Sequence, residues 1–300
     1  MAKQVFLKRW ILIGVLTILA AIAVGYWRKQ TYKGKLISTW FKECYSLDEV
    51  VSDRARQAVY DMGVRSVPVI MELLQARDSR FKQQTIDWTQ EHLPVRLWFR
   101  RDEEKQSNGR DAIGFLNPEA RRVLAPELNQ ILYDTNHCKI AARALAVVGV
   151  EGIPHLNVAL TNADESIRLQ AVDALANYLS CTGRVTEIVV PNLCANALNT
   201  NQDFIVQYFA AYALRNINKR ADITVPTLLQ AVRNFRNYDP ATSMYMAEIM
   251  EGVAQFGTNA RVAIPDFVKA LEDTDFSIRG EATNCLKRID PEMAAKMGIQ

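Results

Sequence analysis

Few residues in this sequence have a spacing that could support acid–base chemistry. Of the three histidines, His137 has a carboxylate nearby, because Asp134 lies three residues before it. An acid and a base could pair at that spacing, but an aspartate at a turn also caps the helix that follows, and we favour capping. The acidic run 102–104 stands between cationic residues and is typical of a solvated charged surface. We therefore predict no catalytic residue.

The other signatures of site chemistry are also missing from the sequence. It contains no H-E-x-x-H, G-x-S-x-G, P-loop or dinucleotide-binding motif. The five cysteines have wide spacings and form no C-x-x-C pair, which predicts buried free thiols and neither a zinc site nor a disulfide framework. They are Cys44, Cys138, Cys181, Cys194 and Cys285. We expect no metal, no cofactor and no enzymatic activity.

The elements that would position any functional residue are predicted to be helices from residue 47 onward. Apolar side chains recur at spacings of three and four, as in Ala141, Leu145 and Val148. The phrase apolar-Pro-x-apolar occurs six times, at Pro68, Pro126, Pro154, Pro191, Pro226 and Pro265. Proline is tolerated in the first turn of a helix, where its missing N–H group would have no partner. Each proline is therefore predicted to begin the second helix of a pair.

These repeated phrases resemble HEAT repeats. The resemblance is carried by Ile264–Asp273 with Ser277–Ala282, by Asp164–Ala171 and by Cys138–Leu145, and it covers roughly residues 47 to 290. It implies an all-α fold, a HEAT-type α-solenoid of about six helix pairs, and a binding function. Together with the apolar amino-terminal segment, the sequence also resembles a bacterial, membrane-anchored type of HEAT-repeat protein. We therefore expect such a solenoid preceded by a single transmembrane helix.

The amino-terminal segment carries the membrane prediction. Residues 10–27 have no charge, begin and end with tryptophan, and are flanked by cations on both sides. As a helix they would span about 27 Å, close to the thickness of a bilayer core. A cleaved signal peptide is an alternative, since Ala21-Ile22-Ala23 fits a cleavage site, and a buried core helix is another. The anchor predicts a single-pass membrane protein, and we expect its soluble domain outside the cytoplasm.

The predicted domain organisation follows from these segments. Residues 1–9 form a basic tail, 10–27 the anchor, and 28–46 a linker with a first amphipathic helix. The solenoid extends over 47–290 with an insertion at 79–101, and 291–300 form the carboxy-terminal end. The first 35 residues hold seven cations and no acidic residue, which leaves 29 basic and 33 acidic residues in the rest. Because the rest of the chain is net negative, it would repel a phosphate backbone, and we expect no nucleic-acid partner.

A solenoid exposes a concave face, and in HEAT proteins the second helices line it. Asparagine and glutamine on these helices could bond an extended peptide, or could form ordinary polar surface. Aromatic residues beside arginine in the insertion could bind a partner, close a gap in the stack, or contact a bilayer surface. The candidate protein-binding residues are Trp98, Phe99, Arg100, Asn129, Gln130, Asn157, Asn196, Gln230, Arg233 and Lys269.

The sequence thus predicts a membrane-anchored protein–protein interaction scaffold whose protein partner is not specified. Two enzyme classes with HEAT-like solenoids are the alternatives. A DNA glycosylase would need a basic groove, whereas this body is acidic. A phycobilin lyase shares the apolar-Pro-x-apolar phrase, but that phrase is general to the repeat. Both alternatives are therefore disfavoured.

Overall fold

The computed structural model describes residues 30–76, 102–179, 184–235 and 242–299. Apart from one small hairpin, the regular structure of these residues is helical, with short connections and 3₁₀ turns between helices. The chain divides into two compact units, the first ending at Leu124 and the second beginning at Ala125. This all-helical architecture is compatible with an α-solenoid.

The first unit begins with the hairpin. Strand β1 (Thr31–Tyr32) pairs antiparallel with β2 (Lys35–Leu36), and the two residues between them have positive φ, 48° at Lys33 and 76° at Gly34. Two successive positive φ values are typical of a type I′ turn, which suits a two-residue hairpin loop. The hairpin is tied to the helix that follows, because the Trp40 indole donates to the Tyr32 carbonyl at 2.9 Å.

Four helices complete the described core of the first unit. They are α1 (Ile37–Glu43), α2 (Glu49–Met62), α3 (Val67–Leu74) and α4 (Asp102–Ala112). Helix α1 packs on α2 and α4, and α3 packs on α4. Helix α1 buries Trp40 and Phe41 in the stretch where the sequence predicts an amphipathic helix. A 3₁₀ turn (Ile113–Phe115) then leads to α5 (Pro118–Leu132), which contains the boundary between the units.

The second unit continues as helix after helix. In chain order these are α6 (Cys138–Val148), α7 (Ile153–Ala159), α8 (Glu165–Asn177), α9 (Val190–Leu198), α10 (Phe204–Ile217), α11 (Ala221–Phe235), α12 (Ser243–Ala254), α13 (Ile264–Ala270), α14 (Phe276–Ile289) and α15 (Pro291–Lys296). Alternate helices form two layers. The first helices α6, α8, α10, α12 and α14 pack each on the next, and each second helix, from α7 to α13, packs on the first helix that follows it.

The second layer is also continuous between neighbouring pairs. Helix α9 packs directly on α11. Helix α7 packs on the 3₁₀ segment Arg184–Val189 that leads into α9, and α11 packs on the 3₁₀ segment Gly257–Ala263 that leads into α13. Each second helix therefore contacts its successor or the turn that introduces it. The side chains between the layers are apolar and buried, as Leu145, Ile153 and Leu193 illustrate.

The proline prediction is correct at four positions and wrong at two. Pro68, Pro154, Pro191 and Pro265 lie in the first turns of α3, α7, α9 and α13. Pro126 and Pro226 instead lie inside α5 and α11. Both helices begin several residues before the proline, so the proline does not mark their first turn. Asn117 caps α5 by accepting from the Ala120 N–H group at 2.9 Å. Arg220, with positive φ, precedes α11, and its carbonyl accepts from the N–H groups of Ile223 and Thr224 at 3.0 and 2.8 Å.

The prediction of a transmembrane helix is not supported and is corrected here. In the part of the chain that the structure describes, no helix has the length and apolar character needed to cross a membrane. One of the longest there, α11, has 15 residues, whereas a span needs about 20. Residues 10–27, to which the sequence assigns the anchor, lie outside the described residues, as does the predicted insertion at 79–101. The prediction of a single-pass membrane protein with its soluble domain outside the cytoplasm is corrected with it.

Candidate functional site

Two capped turns with the same geometry lie at the carboxy-terminal ends of second helices. After α7, Asp164 accepts from the Ser166 N–H group at 2.8 Å, and after α13, Asp275 accepts from the Ser277 N–H group at 2.8 Å. These hydrogen bonds cap α8 and α14. Hydrogen bonds from the Ser166 side chain, and then from its backbone N–H group, hold the pKa of Asp164 below its ordinary value. Asp164 is thus the N-cap residue of α8.

An arginine four residues after each cap closes the same turn from the other side. Arg168 donates to the carbonyls of residues 162 and 163 at 2.8 and 3.0 Å, and Arg279 donates to those of residues 273 and 274 at 2.8 and 2.9 Å. These carbonyls lie in the turns that follow the helix ends at Ala159 and Ala270, so the bonds brace the connection from each second helix to the next first helix. The two turns thus set the positions of α7 and α13 in the same way.

The asparagines of α7 and α9 bond to one another. The Asn192 side chain donates to the Asn157 side-chain oxygen at 2.9 Å. Asn196 is buried, and its amide donates to the carbonyls of Leu160 and Asn192, each at 2.9 Å. Gln202 in turn donates to the Asn196 carbonyl at 2.6 Å. The amide groups of Asn192 and Asn196 are therefore used to join neighbouring pairs, and a bound peptide could take them only by displacing these bonds.

A depression of about 180 Å³ lies between α11 and α13, where the sequence predicts Gln230, Arg233 and Lys269 as binding residues. Its lining combines buried apolar side chains with residues that carry charge. The lining residues are Leu229, Val232, Arg233, Met250, Asp266, Phe267, Lys269 and Ala270. An apolar floor with a few polar groups at the rim is a composition that binding pockets in proteins share.

The rim of this depression is organised by an ion pair. The Arg233 guanidinium donates to both oxygens of Asp266, at 2.8 to 3.0 Å, and this bonding raises the pKa of Arg233 above its ordinary value. The Gln230 side chain accepts a long hydrogen bond of 3.4 Å from Arg233. Lys269 is exposed and forms no ion pair with any residue that the structure describes. The structure therefore brings three of the predicted residues together.

The remaining predicted residues lie elsewhere. Asn129, half-buried, and Gln130, exposed, are on α5. Asn157 and Asn196 belong to the hydrogen-bonded group on α7 and α9. Trp98, Phe99 and Arg100 lie outside the described residues. Of the predicted residues that the structure describes, three gather at one depression.

The one acid–base candidate closes a turn. His137 Nδ1 lies 2.5 Å from Asp134 Oδ2, while the other Asp134 oxygen accepts from the Asn136 N–H group at 3.0 Å. The Asp134 carbonyl accepts from the N–H groups of His137 and Cys138 at 2.8 and 2.7 Å. All these bonds lie within the turn that begins α6. The N-cap residue of α6 is His137, without a side-chain cap hydrogen bond, so Asp134 closes the turn but is not the helix cap expected from the sequence.

The cysteines that the structure describes are free thiols, as predicted. Cys44, Cys138 and Cys285 are buried and Cys194 is half-buried, while Cys181 lies outside the described residues. Burial raises the pKa of Cys44 to about 11 and also raises that of Cys285. Such thiols stay protonated at neutral pH and are weak nucleophiles. Within the described ranges no group of three or more His, Cys, Asp or Glu could hold a metal ion.

Sequence reasoning misses an aromatic cluster between α10, α11 and α12. The ring of Phe204 lies 4.9 Å from that of Phe235 and 5.7 Å from that of Tyr245, and Tyr208 lies 4.6 Å from Tyr245. The Tyr208 hydroxyl donates to Glu248, and burial together with this bond raises the pKa of Tyr208. The spacing of four between Phe204 and Tyr208 is the available signal. Their partners, however, lie on the next helices of the chain.

The comparisons with known proteins give limited information. No protein-family model matches the chain. No curated protein matches it either. An engineered protein solved by the Northeast Structural Genomics Consortium is 21% identical, covers 85% of this chain and 96% of its own, and superposes with a TM-score of 0.47. A second engineered protein from the same consortium is 18% identical, with coverages of 85% and 98% and a TM-score of 0.44. At this similarity neither carries an inference about function.

Proposed function

We propose that the chain is a HEAT-type protein-binding module that uses the face of its second helices. The observation that carries the proposal is the depression between α11 and α13. It combines a buried apolar floor with two cations and one carboxylate at its rim. Binding surfaces of proteins share this design, because an apolar anchor supplies affinity and the polar rim supplies specificity.

The arrangement of the second layer supports the same proposal. Side chains on α7, α9, α11 and α13 that do not enter the core reach solvent, as Val158, Gln230 and Lys269 do. Repeating helix pairs of this kind offer neighbouring side chains at regular spacing along one surface. A partner segment could therefore contact several pairs at once.

The experiment is site-specific photocrosslinking in the full chain. A benzophenone amino acid replaces Gln230 or Lys269 on the second helices, and in the control it replaces Asn284, an exposed residue of first helix α14. We expect a discrete protein adduct from the first two positions and none from the control. Adducts from Asn284 alone would contradict the proposed face.

A second variant tests whether the depression itself is needed for the partner to bind. Phe267 lies in the floor of the depression and is 2% exposed, so its replacement disturbs the fold as well. Val232 is half-buried in the same lining and is the better choice. We expect V232D to abolish the adducts at Gln230 and Lys269, because a carboxylate in the apolar floor must be desolvated on binding. Retention of the adducts in V232D would contradict a role for the depression.

A further inference from the structure

We propose that the first unit binds a carboxylate-bearing segment of a partner protein in the depression between α2 and the 3₁₀ turn Ile113–Phe115. This site is separate from the face proposed above and does not depend on it. The depression is lined by residues of α2, of this turn and of the start of α5. They are Asp53, Arg56, Gln57, Tyr60, Gly114, Phe115, Leu116 and Arg121.

Two arginines lie close to Phe115, and each donates to backbone carbonyls. Arg56 donates through Nε to the Cys44 carbonyl at 3.2 Å, and its guanidinium lies 5.3 Å from the centre of the Phe115 ring. Arg121 donates to the carbonyls of Gly114 and Leu116, the residues before and after Phe115, at 2.8 and 3.1 Å. Both guanidinium groups are thereby fixed in place before any ligand arrives, which lowers the entropy lost on binding.

The positive charge of this pair is poorly neutralised. Arg56 has a carboxylate neighbour in Asp53, but that contact is long, at 3.4 Å, and the Asp53 side chain is 75% exposed. Arg121 forms no ion pair with the residues that the structure describes, since its hydrogen bonds go to neutral carbonyls. Arginine retains unused N–H donors in this situation, and its planar fork matches a carboxylate in charge and shape.

The walls of the depression would hold the carbon stem of an acidic side chain. Tyr60 is 50% exposed, and the Phe115 ring is half-buried beside it. Phe115 is kept in place by edge contact with Tyr45, at 5.7 Å between ring centres, and the Tyr45 hydroxyl donates to the Asp111 carbonyl at 3.1 Å. At Gly114 a methyl group would meet nothing within 4 Å, so the depression stays open at this turn.

The charge of the chain favours a short protein segment over a nucleic acid. From residue 36 onward the sequence holds 29 basic and 33 acidic residues, so a long polyanion would cross repulsive surface. A side chain in the depression senses mainly the charges within about 10 Å, which is the screening length at ordinary salt. Among the residues that line the depression, Arg56 and Arg121 outnumber Asp53. We therefore assign the site to glutamate or aspartate side chains of a protein partner.

The test is fluorescence anisotropy on the full chain with three labelled probes of defined composition. These are a hexaglutamate peptide, a hexaglutamine peptide and a short single-stranded oligonucleotide. We expect saturable binding of hexaglutamate, with binding of the other two at least about tenfold weaker. Equal or tighter binding of the oligonucleotide would overturn the assignment in favour of phosphate.

Four variants test whether hexaglutamate binds in this depression. R56Q and R121Q are expected to weaken hexaglutamate binding about tenfold, because each removes a charge-assisted partner. R122Q removes an exposed neighbouring cation that does not line the depression, and we expect a change below about twofold there. D53N removes the carboxylate of the depression and should tighten binding.

D53N keeps the proposal testable if either arginine variant fails to fold, because the exposed Asp53 side chain contributes little to the fold. Equal weakening by R121Q and R122Q, or weaker binding in D53N, would overturn the site.

Discussion

Asn192 of α9 donates its side-chain amide to the side-chain oxygen of Asn157 on α7 at 2.9 Å, and the two residues lie 35 positions apart. The bond joins equivalent helices of neighbouring pairs. Beside it, the buried amide of Asn196 reaches the Leu160 carbonyl at the end of α7. These asparagines therefore help hold successive pairs together, which makes their stability contribution testable.

Replacing Asn196 with alanine should lower the free energy of unfolding by about 1–3 kcal/mol, because the buried Leu160 carbonyl would lose its partner. N192A should cost about 1 kcal/mol, since its hydrogen bond is only partly buried. Urea denaturation followed by circular dichroism measures both. The control N284A replaces an exposed asparagine and should change stability by less than about 0.5 kcal/mol. Equal effects of N196A and N284A would contradict the inter-pair role.

Two glycines should respond to alanine in opposite ways. At Gly152 an added methyl carbon would lie 2.0 Å from the Leu145 carbonyl oxygen, so the backbone must shift, and we expect G152A to destabilise by about 1–3 kcal/mol. At Gly280, exposed on α14, the methyl would meet nothing within 4 Å. G280A should therefore stabilise by about 0.5–1 kcal/mol through helix propensity. Thermal melts of the two variants would show the opposite signs, and a stabilising G152A would refute the close approach.

Two prolines in the same sequence phrase should also differ. Pro226 lies inside α11, where its ring removes a helical hydrogen bond, so P226A should stabilise by about 1–2 kcal/mol. Pro191 lies in the first turn of α9, where no bond is lost, and P191A should destabilise by about 0.4–1 kcal/mol through the freer unfolded chain. Chemical denaturation of both variants provides the measurement. The same sign for both would show that the position of the proline within the helix does not matter.

Cys44 should make stability depend on alkaline pH. Burial raises its pKa from 9.0 to about 11 in the folded chain, so the unfolded chain ionises first. The stabilisation by the protonated thiol is complete below about pH 9 and is lost as the pH rises towards 11. We expect the free energy of unfolding to fall over this interval less steeply in C44A than in the parent chain. Parallel pH profiles of the two proteins would contradict the raised pKa.

The thiols should also be slow to react in the folded chain. In a C181S background the four remaining cysteines are buried or half-buried, so an aromatic disulfide reagent at pH 8 should react slowly with all of them. In denaturant four thiols should react at once. Rapid reaction of all four in the native protein would contradict their burial. Cys194 is the least buried and should react first.

The helical order was accessible from the sequence because its signals act locally. Asp164, the prolines of α3, α7, α9 and α13, and the glycines with positive φ such as Gly63 and Gly149 each determine a helix start or end within a few residues. Pro126 and Pro226 misled because a nearby cap, Asn117 or the turn at Arg220, determines the helix start first. The apolar run at 10–27 also misled, since hydropathy alone does not distinguish its alternatives.

The candidate sites were less accessible because they join residues that are distant in sequence. Arg233 and Lys269 were predicted as exposed polar positions, but their shared depression also depends on Asp266 of α13, which pairs with Arg233 of α11, and on Met250 of α12. Arg56 and Arg121 meet at Phe115 only after α1 to α4 have packed. A periodic pattern assigns each residue to a helix face, but it does not determine which residue of another helix lies opposite.

The contacts between successive first helices have a consequence for how the second unit is made in the cell. Arg143 bonds Asp173 at 2.9 Å and Arg215 bonds Glu251, so each interaction requires only the next repeat of the chain. Short-range contacts of this kind allow fast folding. A chain leaving the ribosome could therefore fold α6 to α9 before α14 has been translated. Folding would then proceed in the direction of synthesis. Each folded helix pair would present the apolar surface on which the next pair packs.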